Sequence, residues 1–304
     1  MTDRVLVALV PIVLLMMLGA LLRRTSLLAD DFWPQAERLG YYVLLPCLFF
    51  HDLATAQVGH IPIYELVLTL IAATALVAAI VTALRPVMHV DGPAFTSVFQ
   101  GSVRFNNFIG VSLMSELFGA SGVALAAVCN AAVVPTVNIL CVLIFSRFGI
   151  TRLGPGATVR QIASNPLIIA SLAGVLWQVT GWSVTDGLSS ALRLLGLASL
   201  PLGLLCVGSA LQFGQFRSWL KPIVWCSMAK FVAMPVATLV LGRIFGLCGV
   251  ALMTAMLFQS LPTSSSSYVM ARQLGGDAPL MATITAAQTL LAMLAMPIVA
   301  ALLL

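Results

Sequence analysis

The chain has 304 residues, of which 61% are hydrophobic and only 8% charged, with a mean hydropathy of +1.07. A soluble domain needs roughly 25% charged residues to clothe its surface, so the composition excludes a soluble fold and describes a polytopic membrane protein with almost no extramembrane domain. The formal charge of +5 comes from basic residues scattered at the ends of apolar runs, which is not the clustered patch of a nucleic-acid binder.

Apolar runs of about 20 residues, each sufficient to cross roughly 30 Å of hydrocarbon, recur along the chain. In the first half they fall at 4–22, 37–55, 63–84, 94–117 and 121–146, and in the second at 164–181, 187–211, 219–242, 247–273 and 278–303. We number them spans 1 to 10. Span 1 is a retained helix and not a signal peptide, because Arg23 and Arg24 follow the apolar run instead of preceding it and no small-residue cleavage site appears. Residues 147–163 form the one polar connection of any size, with Arg147, Arg152, Arg160 and a Gly154-Pro155-Gly156 turn. The expected organisation is therefore a first five-helix unit at 1–146, a linker at 147–163 and a second unit at 164–304. Cys47, Cys129, Cys141, Cys206, Cys226 and Cys248 lie in apolar stretches without CxxC spacing, so they read as small buried hydrophobes and imply neither disulfides nor zinc. No residue pattern calls for a metal or a cofactor.

The arginines set an expected orientation. Arg23 and Arg24, Arg85, the linker arginines, Arg217 with Lys221, and Arg272 all follow odd-numbered spans. The positive-inside bias then puts these loops and the linker in the cytoplasm and both termini outside. An odd number of spans per unit inserts the second unit upside down relative to the first.

The two units also read as copies. In a register of 155 residues (166 − 11), Pro11 meets Pro166, Gly19 meets Gly174, Arg38 meets Arg193 and Pro46 meets Pro201. Inverted repeats of apolar helices are the sequence trace of secondary transporters, whose halves move around a site near the membrane midplane. The expected fold is thus an all-α membrane protein of about ten transmembrane helices in two inverted five-helix repeats.

Two spans should be broken. Span 4 carries Arg104-Phe105-Asn106-Asn107 and Gly110 near its middle, where amides and charge are costly against lipid. Span 9 carries Pro262-Thr263-Ser264-Ser265-Ser266-Ser267, and Pro262 removes a backbone donor and clashes with the preceding turn. At a shift of 156, Asn106 falls on Pro262 and Gly119 on Gly275. Irregular backbone at membrane depth is tolerated only where it is buried or lines a cavity, so the two breaks are expected to face one substrate site. Asn106, Asn107, Pro262, Thr263 and Ser264 are the expected lining and Arg104 the source of positive potential. Gly110, Pro46, Pro201 and Pro262 are expected helix breaks or hinges.

These residues resemble the auxin efflux carrier family, within the bile acid/arsenite/riboflavin transporter superfamily. The likeness rests on Gly19 with Arg23-Arg24, Leu45-Pro46, Arg104 to Gly110, Asn165-Pro166-Leu167-Ile168, Pro201-Leu202-Gly203 with Gly208, Lys230 with Pro235, and the Pro262 region. The resemblance implies ten helices, crossing spans 4 and 9, a bacterial inner-membrane location and alternating-access transport of small organic anions, carboxylates such as malonate or malate or auxin-like acids. A homodimer is implied by the resemblance alone. Ser112 stands where many relatives carry a proline, which leaves the span 4 break to Asn106, Asn107 and Gly110.

Arg104 and Lys230 each lie about 14 Å into their spans at 1.5 Å per residue, and no Asp or Glu lies within spans 4 or 9 near the crossing. The alternative, a sodium-coupled organic anion symporter of the bile acid type, uses an acidic residue in span 9 where this chain has Ser, Thr and Gln. Helix N-termini and cations favour an anion instead. His51, Asp52 and Glu116 read as solvated helix ends, with a role in proton coupling as the alternative. His51, His60 and His89 sit at the ends of early spans, far in depth from the serine run, which argues against a membrane serine protease.

Overall fold

The computed structural model describes residues 2–55, 63–150, 154–211 and 216–301. His60 and Arg152 lie outside the described residues, as do the side chains of Ser112, Glu116 and Arg217. Among the described residues the chain is helical throughout, with no strand.

The first half comprises α1 (Thr2–Arg24), α2 (Phe32–Leu39), α3 (Leu45–Ala54), α4 (Ile63–Ala83), the single turn α5 (Arg85–Met88), α6 (Gly92–Val103) and α7 (Asn107–Phe148). The second half comprises α8 (Pro155–Ala163), α9 (Pro166–Thr180), α10 (Asp186–Ser209), α11 (Phe216–Met228), α12 (Met234–Ile244), α13 (Gly249–Gln259), α14 (Ser265–Leu274) and α15 (Ala278–Ala301). By length and hydropathy, five runs among the described residues suffice to cross a bilayer: Ile63–Ala83, Leu125–Phe148, Asp186–Ser209, Ser218–Ile244 and Ala278–Met296. The pair α8 and α9, bent by 55°, makes a sixth if read as one span.

Prolines inside the apolar runs act in three different ways. Before Pro46 and before Pro235 the helix widens into a π turn, Gly40–Leu44 and Ala229–Ala233, and continues. A proline has no N–H and its ring collides with the carbonyl four residues back. The wider turn moves that carbonyl aside, so α2 runs into α3 and α11 into α12. Pro201 lies inside α10, and the helix passes through it. Only at Pro262 does the chain leave helical geometry, between α13 and α14. Pro46 and Pro201 therefore do not break their helices, contrary to the expectation from sequence.

The linker also differs from expectation. Gly154 is extended (ψ 167°) and Pro155 opens the nine-residue helix α8, because proline is pre-set for the first helical position, where its missing N–H is not needed. The Gly-Pro-Gly segment thus starts a helix instead of closing a turn.

Close backbone approaches organise the bundle. A Cβ on Gly19 would fall 2.1 Å from the Leu205 carbonyl oxygen, and one on Gly208 would fall 1.9 Å from that of Met16, so α1 and α10 meet backbone to backbone. A Cβ on Gly174 would lie 2.9 Å from Phe50 O and from Leu53 Cβ, joining α9 to α3. The two contacts are equivalent in the 155-residue register, because Gly19 corresponds to Gly174 and Phe50 to Leu205 (205 − 155 = 50). Small residues let helices approach where lipid offers no hydrophobic drive between them.

Helix α7 is not one straight rod. Gly119 adopts φ 59° and ψ −139°, outside the helical region, and a Cβ on Gly122 would lie 2.0 Å from Met114 O. Residues eight apart in a straight helix are about 12 Å apart, so the chain folds back here. Its counterpart Gly275 ends α14 with φ 77°. Both positions demand a left-handed φ that only glycine adopts cheaply.

Candidate functional site

Both expected breaks exist, and they meet. Span 4 leaves helical geometry at Arg104 (φ −76°, ψ 156°) and restarts at Asn107. Span 9 stops at Gln259 and restarts after Ser264 (φ −105°, ψ 162°). The Asn106 N–H donates to the Pro262 carbonyl at 2.8 Å, so the register-equivalent residues touch across the crossing. The Phe105 and Phe258 rings pack beside this contact, with centroids 5.4 Å apart.

The carbonyls and amides freed by the breaks are satisfied by side chains from other helices. Gln288 of α15 serves both breaks at once: its Nε2 donates to Gly101 O at 2.9 Å, and its Oε1 accepts from Thr263 N–H at 3.1 Å. The Lys230 amine, fully buried on the π turn of span 8, lies 3.5 Å from Val103 O at the carboxyl end of α6. That end of a helix carries partial negative charge, which a cation stabilises. Asn106 Oδ1 accepts from Ile109 N–H at 3.3 Å and so caps the start of α7. Gly110 is not at the break. It lies in α7, where a Cβ would fall 2.8 Å from Leu261 Cδ1 and from Phe258 Cζ, so its small size serves the close packing of span 4 on span 9.

Arg104 is 3% exposed. Its Nη1 donates to Asn138 Oδ1 at 2.8 Å and its Nη2 to Ser266 Oγ at 3.0 Å, while Nε is buried without a partner. No carboxylate pairs with it among the described residues. A buried guanidinium held only by neutral groups is an uncompensated charge, and burying one is expensive. Arg104, Asn106, Asn107, Asn138, Ser264, Ser265 and Ser266 line a cavity of about 30 Å³ together with Leu45, Leu48 and Phe49 of α3. Such a volume admits about two waters. Pro262 and Thr263 are buried at the break but do not line that cavity. Thr263 Oγ1 shares a hydrogen bond with Ser267 Oγ at 2.9 Å.

Three contributors were not anticipated. Asn138 and Gln288 are single polar residues in long apolar runs, and that isolation was their only sequence signal. Asp52 is the third. Sequence placed it at a solvated helix end or in proton coupling and did not foresee its partner: its Oδ2 accepts from Asn107 Nδ2 at 3.0 Å, which brings a carboxylate to the edge of the crossing from span 2. Leu45, Leu48, Phe49 and Asp52 follow the i, i+3, i+4, i+7 spacing of one helical face, which was legible but unread. His51 is likewise engaged, with Nδ1 3.5 Å from Asp52 Oδ1 and Nε2 3.3 Å from Ser189 Oγ. Further along span 2, buried Glu37 accepts from Tyr268 Oη at 2.6 Å and from Arg272 Nε at 2.9 Å, tying α2 to α14.

An all-helical apolar chain whose two broken helices meet around a buried cation belongs to the class of membrane transport proteins. The sequence matches the family described as "Membrane transport protein" over residues 4–300, and the chain belongs to it. This is the auxin efflux carrier family that the motifs resembled. The chain is also 26% identical over 251 residues, 77% of its own length and 75% of the relative's, to a Rhizobium meliloti (strain 1021) protein described as "Putative malonate transporter".

Proposed function

We propose that this protein is a secondary carrier of small organic anions, with carboxylates of malonate size as its substrates, working by alternating access around the crossing of spans 4 and 9. One observation carries the reading: Arg104 is a buried cation without a carboxylate partner among the described residues, set in the wall of a cavity whose other polar groups are amides and hydroxyls. An anion arriving there supplies the missing countercharge. Amide donors add directional contacts at lower desolvation cost than a second full charge. The first turns of α7 and α14 begin at the same place, and the unsatisfied N–H groups of a helix start add positive potential. The malonate description of the relative agrees in charge and size.

In this reading the chain has ten spans in two inverted repeats at 1–146 and 164–304, in a bacterial inner membrane, with both termini outside. The equivalent contacts of Gly19 on Leu205 and Gly174 on Phe50 support the duplication. Anion transport without sodium is favoured over bile-acid-type coupling because the side chains at the break of span 9 are Thr and Ser and carry no carboxylate.

The test is counterflow in proteoliposomes. Vesicles loaded with unlabelled malonate should accumulate labelled malonate transiently, and Asn106→Ser should lose this while folding normally. Serine keeps an oxygen to cap α7, whereas Asn106→Ala removes the cap at a cost of about 1 kcal/mol. Absence of counterflow across a panel of small carboxylates with the unmodified protein rejects the reading.

A further inference from the structure

Asn107 presents an unbalanced amide. Its Nδ2 donates to Asp52 Oδ2 at 3.0 Å, but its Oδ1 is buried and has no donor. Asn107 lines the cavity, and Asp52, outside its lining, lies one turn beyond the lining residues Leu48 and Phe49 on the same face of α3. The Asp52 side chain is 32% exposed and stands two residues before Ala54, the last residue of α3.

Resting on the carrier reading above, we infer that Asp52 is the proton-coupling residue of this transporter: it takes up one proton from water when a carboxylate substrate binds beside Asn107. Ionised Asp52 is an acceptor only, and it engages Nδ2. A substrate carboxylate that also seeks Nδ2 brings a second negative charge to the same amide, and two carboxylates sharing a site favour protonation of one. Once protonated, Asp52 becomes a donor. Its new O–H reaches the orphaned Oδ1 of Asn107 if the amide turns over, and the turned Nδ2 then faces the ligand. The only covalent change is one O–H bond formed on Asp52, with the proton drawn from solvent and returned when the substrate leaves. One proton therefore travels with each anion.

The groups that face Asp52 leave it the residue to titrate. On α3 its neighbour is His51, which leans between Asp52 and Ser189 of α10. Asp186 and Arg193 of α10 are exposed and form no ion pair with it. Helix α9 contributes no ionisable side chain. From the crossing, Arg104 turns to Asn138 and Ser266, and on α7 the side chain of Glu116 lies outside the described residues. Among the described residues His51 is thus the one titratable side chain paired with Asp52, and the test separates the two.

Malonate binding to the purified protein is measured calorimetrically near neutral pH in two buffers of different ionisation heat, which counts the protons taken up per malonate bound. The unmodified protein should take up a measurable fraction of one proton, approaching one. Asp52→Asn should bind malonate with no uptake and with affinity independent of pH, and His51→Gln should retain the uptake. Uptake that survives in Asp52→Asn, or that vanishes in His51→Gln alone, overturns the inference, as does binding without uptake by the unmodified protein. Failure of malonate to bind at all counts against the substrate reading and leaves a separate measurement to decide this one. Infrared difference spectra of the ligand-free protein across pH steps should show a titrating carboxylic C=O band that Asp52→Asn removes. No such band, or one unchanged in the variant, also overturns it.

Discussion

Replacing Arg104 separates charge from geometry at the crossing. The guanidinium makes two short hydrogen bonds to neutral partners, Asn138 Oδ1 at 2.8 Å and Ser266 Oγ at 3.0 Å, and has no carboxylate partner among the described residues. Its electrostatic attraction is therefore available to a ligand. At a charge separation on the order of 6 Å and an effective dielectric of about 20, that attraction is worth about 3 kcal/mol, or roughly a hundredfold in affinity. Arg104→Gln should weaken malonate binding by about that factor and the binding of malonamide, a neutral diamide of similar shape, by far less. Arg104→Lys keeps the charge but not the planar fork that reaches Asn138 and Ser266 together, so it should fall between the two for malonate. Buried Asn138 Oδ1 loses its donor in Arg104→Gln, which costs roughly 1–3 kcal/mol of stability. Melting temperatures of each variant, measured alongside calorimetric affinities, keep this loss apart from the binding effect. Equal weakening of malonate and malonamide in a folded Arg104→Gln protein refutes the electrostatic role.

Gly208→Ala should destabilise, because its Cβ would meet the Met16 carbonyl at 1.9 Å against rigid backbone, at a cost of about 1–3 kcal/mol or more. Gly187→Ala, in the first turn of α10 with open space around it, should instead stabilise by roughly 0.5–1 kcal/mol. Thermal melts of both in detergent check the pair, and a Gly208→Ala melting point at or above the parent's contradicts the packing of α1 on α10. Malonate transport in proteoliposomes should persist when choline replaces sodium; a strict sodium requirement would revive the bile-acid-type alternative. A single cysteine at residue 156 in a Cys-free background should resist an impermeant maleimide in intact cells, and labelling there would reverse the orientation read from the arginines.

Much of this architecture was readable from local chemistry. Composition determined the solvent, because eight charges per hundred residues cannot cover a soluble surface. Arg104 to Asn107 and Pro262 to Ser264 marked the breaks, because amides and a proline disturb a membrane helix wherever it packs. The same reasoning misjudged Pro46 and Pro201, where a π turn or a continuous helix absorbs the missing donor, and Gly110, which serves packing one turn after the break. Those outcomes depend on what lies across the interface. The tertiary structure alone decided that Gln288 bridges both breaks, that Asn138 and Ser266 hold Arg104, and that Asp52 reaches Asn107 from another helix. These partners are separated by 25 to 187 residues along the chain, and a hydrogen bond about 3 Å long is specified only when folding brings two helices together. A sequence displays periodicity and punctuation within each helix, whereas the pairing of polar side chains between helices is a property of their packing.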